Sequence, residues 1–157
     1  GTVSGQGDNV GEIKSTMTVD HRRCDELLAE SEAAVSKAEW SLGVDRFDTF
    51  QRAMAHHFAM EEEVLFPIFE QQAGHAGGPV QVMRMEHMQM RRLMSDMSAA
   101  LTDKEQTGFL GVSETMMMLM QQHNMKEQQM LYPMAEGFFG DGAAEVLEQM
   151  LQLSGGE

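Results

Sequence analysis

The sequence predicts an all-α fold, an antiparallel up-down four-helix bundle made from a duplicated helical hairpin, with a short C-terminal helix. Three observations carry that reading. Seventeen methionines stand beside one tyrosine, one tryptophan and three prolines, a composition poor in the aromatic residues that favour sheet and rich in helix formers. Apolar residues recur in three- and four-residue steps through four long segments, which marks a buried helix face. Glycine-containing stretches separate the segments, and no strand pattern intervenes.

The first helix is expected from about Thr18 to Trp40, with Met17, His21, Cys24, Leu28 and Val35 sharing a face and Ser41-Leu42-Gly43 ending it. The second runs from about Asp45 to Gln72 on the stripe Phe47, Phe50, Met54, His57, Glu61, Val64/Leu65 and Ile68. A loop at residues 74–78 follows, and Pro79 suits the first turn of the third helix. That helix reaches about Leu101 on the stripe Val80, Met83, His87, Met90, Met94, Met97 and Leu101. The fourth spans about Gly108 to Phe138 through Phe109, Val112, Met116, Leu119/Met120, His123, Glu127, Met130 and Met134. Asp141 to Leu153 reads as the short terminal helix. At a rise of 1.5 Å per residue the four helices are each about 35–40 Å long. Matched lengths and short loops make an up-down bundle.

A chain of 157 residues accommodates one domain. It is placed at residues 16–157, behind a polar, glycine-rich and flexible leading segment at residues 1–15. With 42% hydrophobic and 23% charged residues, the chain should build a core rather than remain disordered. The net charge of −14 repels phosphate backbones and anionic lipid, which excludes nucleic acid and membrane surfaces as partners and leaves carboxylates for cations. Cys24 stands alone, so there is no disulfide framework and no cysteine-rich zinc site. Its expected role is a small buried hydrophobe, with a redox-active thiol as the alternative. No stretch is apolar enough for a signal core or a bilayer span, so a cytoplasmic location is expected.

The informative feature is what interrupts the apolar faces. His21, His57, Glu61, His87, His123 and Glu127 all fall on the inward stripes. A carboxylate or imidazole in a bundle core costs several kcal/mol unless it is paired or bound to a metal. Residues 57–67 read HFAMEEEVLFP and residues 123–133 read HNMKEQQMLYP, so both fit His-x-x-x-Glu-x-x-x-Leu-[Phe/Tyr]-Pro at an offset of 66. The same offset links His21 with His87, Met17 with Met83, and Leu27 with Leu93. Each hairpin of a tandem duplication therefore brings one histidine from its first helix and a His-x-x-x-Glu pair from its second. The four-residue step stacks imidazole and carboxylate on one face.

Four imidazoles and two carboxylates at one depth form a ligand set for a first-row transition metal. Two carboxylates between two histidine pairs can bridge two cations, which predicts a dinuclear centre. Structural zinc prefers closed sites with thiolates, and magnesium and calcium prefer oxygen alone. Iron is the first choice and manganese the second. A metal-free seam of interhelical hydrogen bonds is the alternative, and four helices each supplying a histidine under one repeat offset weigh against it.

At these residues the chain resembles the hemerythrin-like, HHE cation-binding family over about Met17 to Gly137. The resemblance implies two non-haem iron ions with an oxo or hydroxo bridge, Glu61 and Glu127 bridging, His21 and His57 serving one iron, and His87 and His123 the other. Oxygen-carrying members typically add a fifth histidine four residues after the third-helix ligand and end on His-x-x-x-x-Asp. Here that position is Arg91 and the last motif is His-x-x-x-Glu. The pattern is closer to the four-histidine, two-glutamate subgroup associated with iron-centre repair, nitrosative stress and iron sensing. The expected function is binding or sensing of a small ligand (oxygen, nitric oxide or iron), with a redox enzyme of peroxide or nitric oxide detoxification or iron-sulfur repair as the alternative.

The neighbouring residues receive plainer readings. His56, Glu62 and Glu63 rotate off the stripe to the exterior, and His75 sits in a loop. Arg91 is expected to reach solvent or a surface carboxylate. Leu65-Phe66-Pro67 and Leu131-Tyr132-Pro133 read as a repeated kink or stop. A hydrogen-bonding role for Tyr132 is the lesser option.

Overall fold

A computed structural model describes residues 11–74 and 78–153. Helix α1 spans Glu12–Ser36 and α2 spans Trp40–Ala59. A π-helical segment, Met60–Leu65, joins α2 to α3, Phe66–Ala73. The second half repeats this order with α4 (Gly78–Thr102), α5 (Gln106–Lys126), a π-helical segment at Glu127–Leu131 and α6 (Tyr132–Phe139). A 3₁₀ turn at Gly140–Gly142 leads into α7, Ala143–Leu151. Among the described residues there is no strand.

Helix α1 packs on α2 and α5, and α4 packs on α2 and α5. Consecutive long helices are thus neighbours around a square, as an up-down bundle requires. The terminal helix α7 lies against α1 and the first π segment. The repeat extends to the turns. Ala38 and Lys104 hold positive φ of 56° and 54°, and Gly74 and Gly140 hold 58° and 54°, each pair 66 residues apart.

Three boundaries differ from expectation, each for a local reason. Helix α1 begins at Glu12, not near Thr18, because Ile13 extends the buried stripe one turn beyond Met17. The expected division between residues 15 and 16 therefore falls inside a helix, while residues 1–10 of the leading segment, like His75, lie outside the described residues. The first turn lies at Lys37 to Glu39 rather than at Ser41-Leu42-Gly43. Gly43 serves close packing inside α2, since a Cβ there would lie 3.0 Å from Val35 Cγ2.

Neither proline motif stops its helix. Phe66 N–H bonds to Glu61 O and Tyr132 N–H to Glu127 O, both five residues back. A proline in an ordinary α-helix clashes with the carbonyl four residues earlier, and the widened turn directly before Pro67 and Pro133 accommodates that change. A π turn carries one residue more than an α turn, so the buried face shifts afterwards. Leu131, Tyr132, Ala135 and Phe139 are buried, whereas Met130 is exposed and Met134 and Ile68 only half-buried.

Two apolar clusters fill the bundle, and a histidine lies at their junction on each of the four long helices, α1, α2, α4 and α5. His21 follows Met17 of one cluster and precedes Cys24 of the other. His87 likewise lies between Met83 and Met90. His57 lies between Met54 and Met60, and His123 between Met120 and Leu131.

Candidate metal centre

The structure brings all six inward polar residues together and buries them, with His21 the most accessible at 4% exposure. Glu61, His87, His123 and Glu127 present ligand atoms within 4.8 Å of one another, as do His21, His57 and Glu127. Each group can hold a metal ion, and Glu127 belongs to both. The paired imidazoles face each other, with ring centroids 4.6 Å apart for His21 and His57 and 5.0 Å for His87 and His123.

Both glutamates stand in the π segments, directly at their starts or one residue in. Such distortions of a helix occur frequently at functional sites. Here they also draw Tyr132 inward. In an α-helix, a residue five positions after Glu127 would point about 140° away from it. In the π turn, the Tyr132 hydroxyl sits 2.7 Å from Glu61 Oε2, 2.9 Å from Glu127 Oε1 and 3.3 Å from His21 Nε2.

Behind the imidazoles lies a second ring of polar side chains. His57 Nδ1 lies 2.6 Å from Asp20, His87 Nδ1 2.6 Å from Glu62, and His123 Nδ1 2.8 Å from Glu86. The fourth, His21 Nδ1, lies 2.8 Å from Gln128 Oε1. These contacts aim each Nε2 into the core and fix the ring. Glu62, expected at the exterior, is thus a structural partner of His87, and Arg91 grips its carboxylate with two hydrogen bonds of 2.8 Å. Arg91 meets a carboxylate as expected and also covers the Phe58 ring. Lys126 pairs with Glu86. His56 is half-buried rather than exterior.

Asp20, Glu86 and Gln128 carry no inward-stripe signal, so periodicity alone passes over them. The repeat does contain a signal. Asp20 and Glu86 immediately precede His21 and His87, and Glu62 and Gln128 immediately follow Glu61 and Glu127. Both pairs are 66 residues apart and polar in each copy.

The electrostatics are those of a cation cage. Burial would push the His57 imidazole down, but facing Glu61 and the hydrogen bond to Asp20 outweigh it and hold it at about 10. Burial acts the same way on His123, and Glu127 and Glu86 hold it at about 10. Burial and the adjacent Glu127 charge push Glu61 up. Glu127 goes down, because His123 and the hydrogen bonds it accepts outweigh its burial. Burial drives the Cys24 thiol up, which keeps it protonated and supports its reading as a small core residue.

The donor set fits a metal on a direct observation. His57 Nε2, His87 Nε2, His123 Nε2, Glu61 Oε1 and Glu127 Oε2 are buried without a hydrogen-bond partner. His87 Nε2 and Glu61 Oε1 lie 3.0 Å apart, but their orientation is too poor for a hydrogen bond. Uncompensated buried groups of this kind are costly, and five of them converge.

Compared with curated proteins and with solved structures, the chain has no match. A family model, the hemerythrin HHE cation binding domain, matches residues 13–135. That span runs from the first turn of α1 to the middle of α6 and takes in both His-x-x-x-Glu pairs. The chain accordingly belongs to the hemerythrin HHE cation-binding domain family.

Proposed function

We propose that this is a non-haem di-iron protein that binds or senses a small ligand, namely oxygen, nitric oxide or iron itself. The carrying observation is the convergence of five buried, unpartnered nitrogen and oxygen atoms from α2, α4, α5 and the two π segments. His21 and His57 would hold one ion, His87 and His123 the other, with Glu61 and Glu127 bridging. Manganese is the second choice of metal. Iron in such a cage supplies a redox-active position for a diatomic ligand.

The protein's own residues limit what can reach that position. A cavity of about 10 Å³ adjoins the site, lined by Met54, Phe58, Met90 and Met120 among others, and it suits one water-sized molecule. Apolar walls admit a small uncharged gas and leave no room for an organic substrate. The acidic charge and the lack, among the described helices, of one long and apolar enough to cross a membrane fit a cytoplasmic protein with no nucleic-acid or membrane partner.

The test is metal analysis with an absorption spectrum, then anaerobic reduction and exposure to oxygen or nitric oxide. Two irons per chain and a near-ultraviolet charge-transfer band that responds to the gas are expected. A spectrum unchanged by either gas would refute ligand binding.

A second reading, a redox enzyme acting on peroxide or nitric oxide or delivering iron to damaged centres, draws on Arg91. It occupies the position of a fifth histidine and is turned outward onto Glu62, so no further imidazole closes the centre. Sustained consumption of peroxide or nitric oxide with an electron donor favours this reading, and a single stoichiometric reaction favours the first.

A further inference from the structure

The duplication makes the two halves comparable atom by atom, and they differ first in what stands behind the histidines. Three imidazoles are backed by carboxylates, whereas His21 is backed by the amide of Gln128. Gln128 is the repeat counterpart of Glu62, as His21 is of His87. A carboxylate only accepts hydrogen bonds, so it holds the proton on Nδ1 and leaves the Nε2 lone pair for a metal. An amide accepts through oxygen and donates through nitrogen, so it supports either tautomer.

The inward atom of His21 reflects this freedom. Nε2 of His57, His87 and His123 has no hydrogen-bond partner, but that of His21 is engaged with Glu127 Oε1 at 3.0 Å. The Tyr132 hydroxyl competes for the same oxygen at 2.9 Å. Its repeat counterpart, Phe66, has no hydroxyl to offer Glu61 from the equivalent position. Beside His87 the corresponding atoms, Nε2 and Glu61 Oε1, lie at the same 3.0 Å, but there the Tyr132 hydroxyl reaches the other oxygen, Oε2. Only an ion entering beside His21 must therefore displace the hydroxyl from the oxygen that faces the ring.

The outer faces differ as well. His87 is closed off by the Phe58 ring at 4.0 Å and by the doubly bonded Arg91–Glu62 pair. Behind His21 runs a surface groove of about 400 Å³ between α1 and α5, lined by Thr18, Asp25 and Gln128 among others. Asp25 is the counterpart of Arg91, so a carboxylate stands where the other half has a guanidinium. Its Oδ1 and the Thr18 Oγ1 are buried without partners.

We propose that the two metal positions are unequal, and that Gln128 is the positioning residue that makes the His21–His57–Glu127 position the weaker and exchangeable one, filled last and emptied first through the α1/α5 groove. The inference rests on the two-metal reading above.

The test is an anaerobic titration of the metal-free full chain with ferrous ion against a chromophoric chelator. Two steps at least about tenfold apart in affinity are expected, since changing a partner behind a metal-bound histidine shifts affinity by about 10–100-fold. Gln128→Glu should tighten the weaker step by that factor and draw the two together. Glu62→Gln should loosen the tighter step and also narrow the gap. Should Glu62→Gln not fold, Gln128→Glu decides alone. Two indistinguishable steps in the unmodified chain, or a gap that Gln128→Glu leaves unchanged, would overturn the proposal. Uptake of fewer than two ions would overturn the dinuclear reading instead.

Discussion

The two apolar ends of the bundle are built on different periodicities. The end holding Phe47, Phe50, Met94, Met97 and Phe109 follows the α-helical register without interruption. The end holding Phe66, Phe69, Tyr132, Phe139 and Met150 lies beyond the π segments and is covered by α7. The first end is ordinary bundle packing. At the second, the two rods that carry the glutamates are re-phased after them, so residues that a regular helix would turn away reach the core beside the unbroken α1 and α4. The histidine and glutamate layer lies where the two regimes meet, so the re-phasing serves the centre and the apolar packing adapts to it.

Removing the junction should have the largest effect. His57→Ala together with His123→Ala takes one imidazole from each proposed metal position. Metal uptake should fall to background, and the stabilisation that metal confers on melting should vanish with it. A double variant that still binds two ions would show that the metal lies elsewhere.

The same layer governs pH dependence. In the metal-free protein His57 and His123 are held at about 10, above the ordinary histidine value. The stability they contribute is complete below about pH 6.5 and is lost as pH rises through 10. Metal needs the unprotonated ring, so its binding tightens over the same range. The melting-temperature gap between metal-loaded and metal-free protein should widen from pH 6 to pH 9. A gap that stays constant would mean that protons and metal do not compete for these rings.

At the α-register end, Phe50 is fully buried, and Phe50→Ala should cost about 3–5 kcal/mol in chemical denaturation. A smaller change is expected at the re-phased end. Tyr132→Phe restores the likeness to Phe66 and removes a hydroxyl that reaches two glutamates. Hydrogen bonds to charged groups put that loss at about 1.5–3 kcal/mol in the metal-free protein. Unchanged stability would show that the hydroxyl is not bonded there.

The difference between the ends also explains what could be read in advance. All seven residues assigned to the third helix's stripe, Val80 to Leu101, are buried, because an uninterrupted helix obeys its period. The six candidate ligands were legible because they violate that stripe twice at one offset. Ile68, Met130 and Met134 were misplaced because a π turn leaves no mark in hydropathy until its extra residue is counted. The proline ten residues after each first histidine of the motif was the available mark, but it reads equally well as a stop. Gly43 misled in the opposite sense, since a missing side chain serves close packing as readily as a turn. Glu62 and Gln128 were passed over because contacts to the back of a buried ring come from residues that hydropathy assigns to the surface.

Pro67 and Pro133 have a consequence beyond tolerating the wide turns. A bulge in a helix can otherwise migrate along it, one hydrogen bond at a time, as neighbouring amides exchange acceptors. Proline has no amide to exchange, and its ring bars the tighter winding. Each therefore acts as a latch directly below its bulge, and both carboxylates stay at a fixed height whatever happens to the rest of the helix.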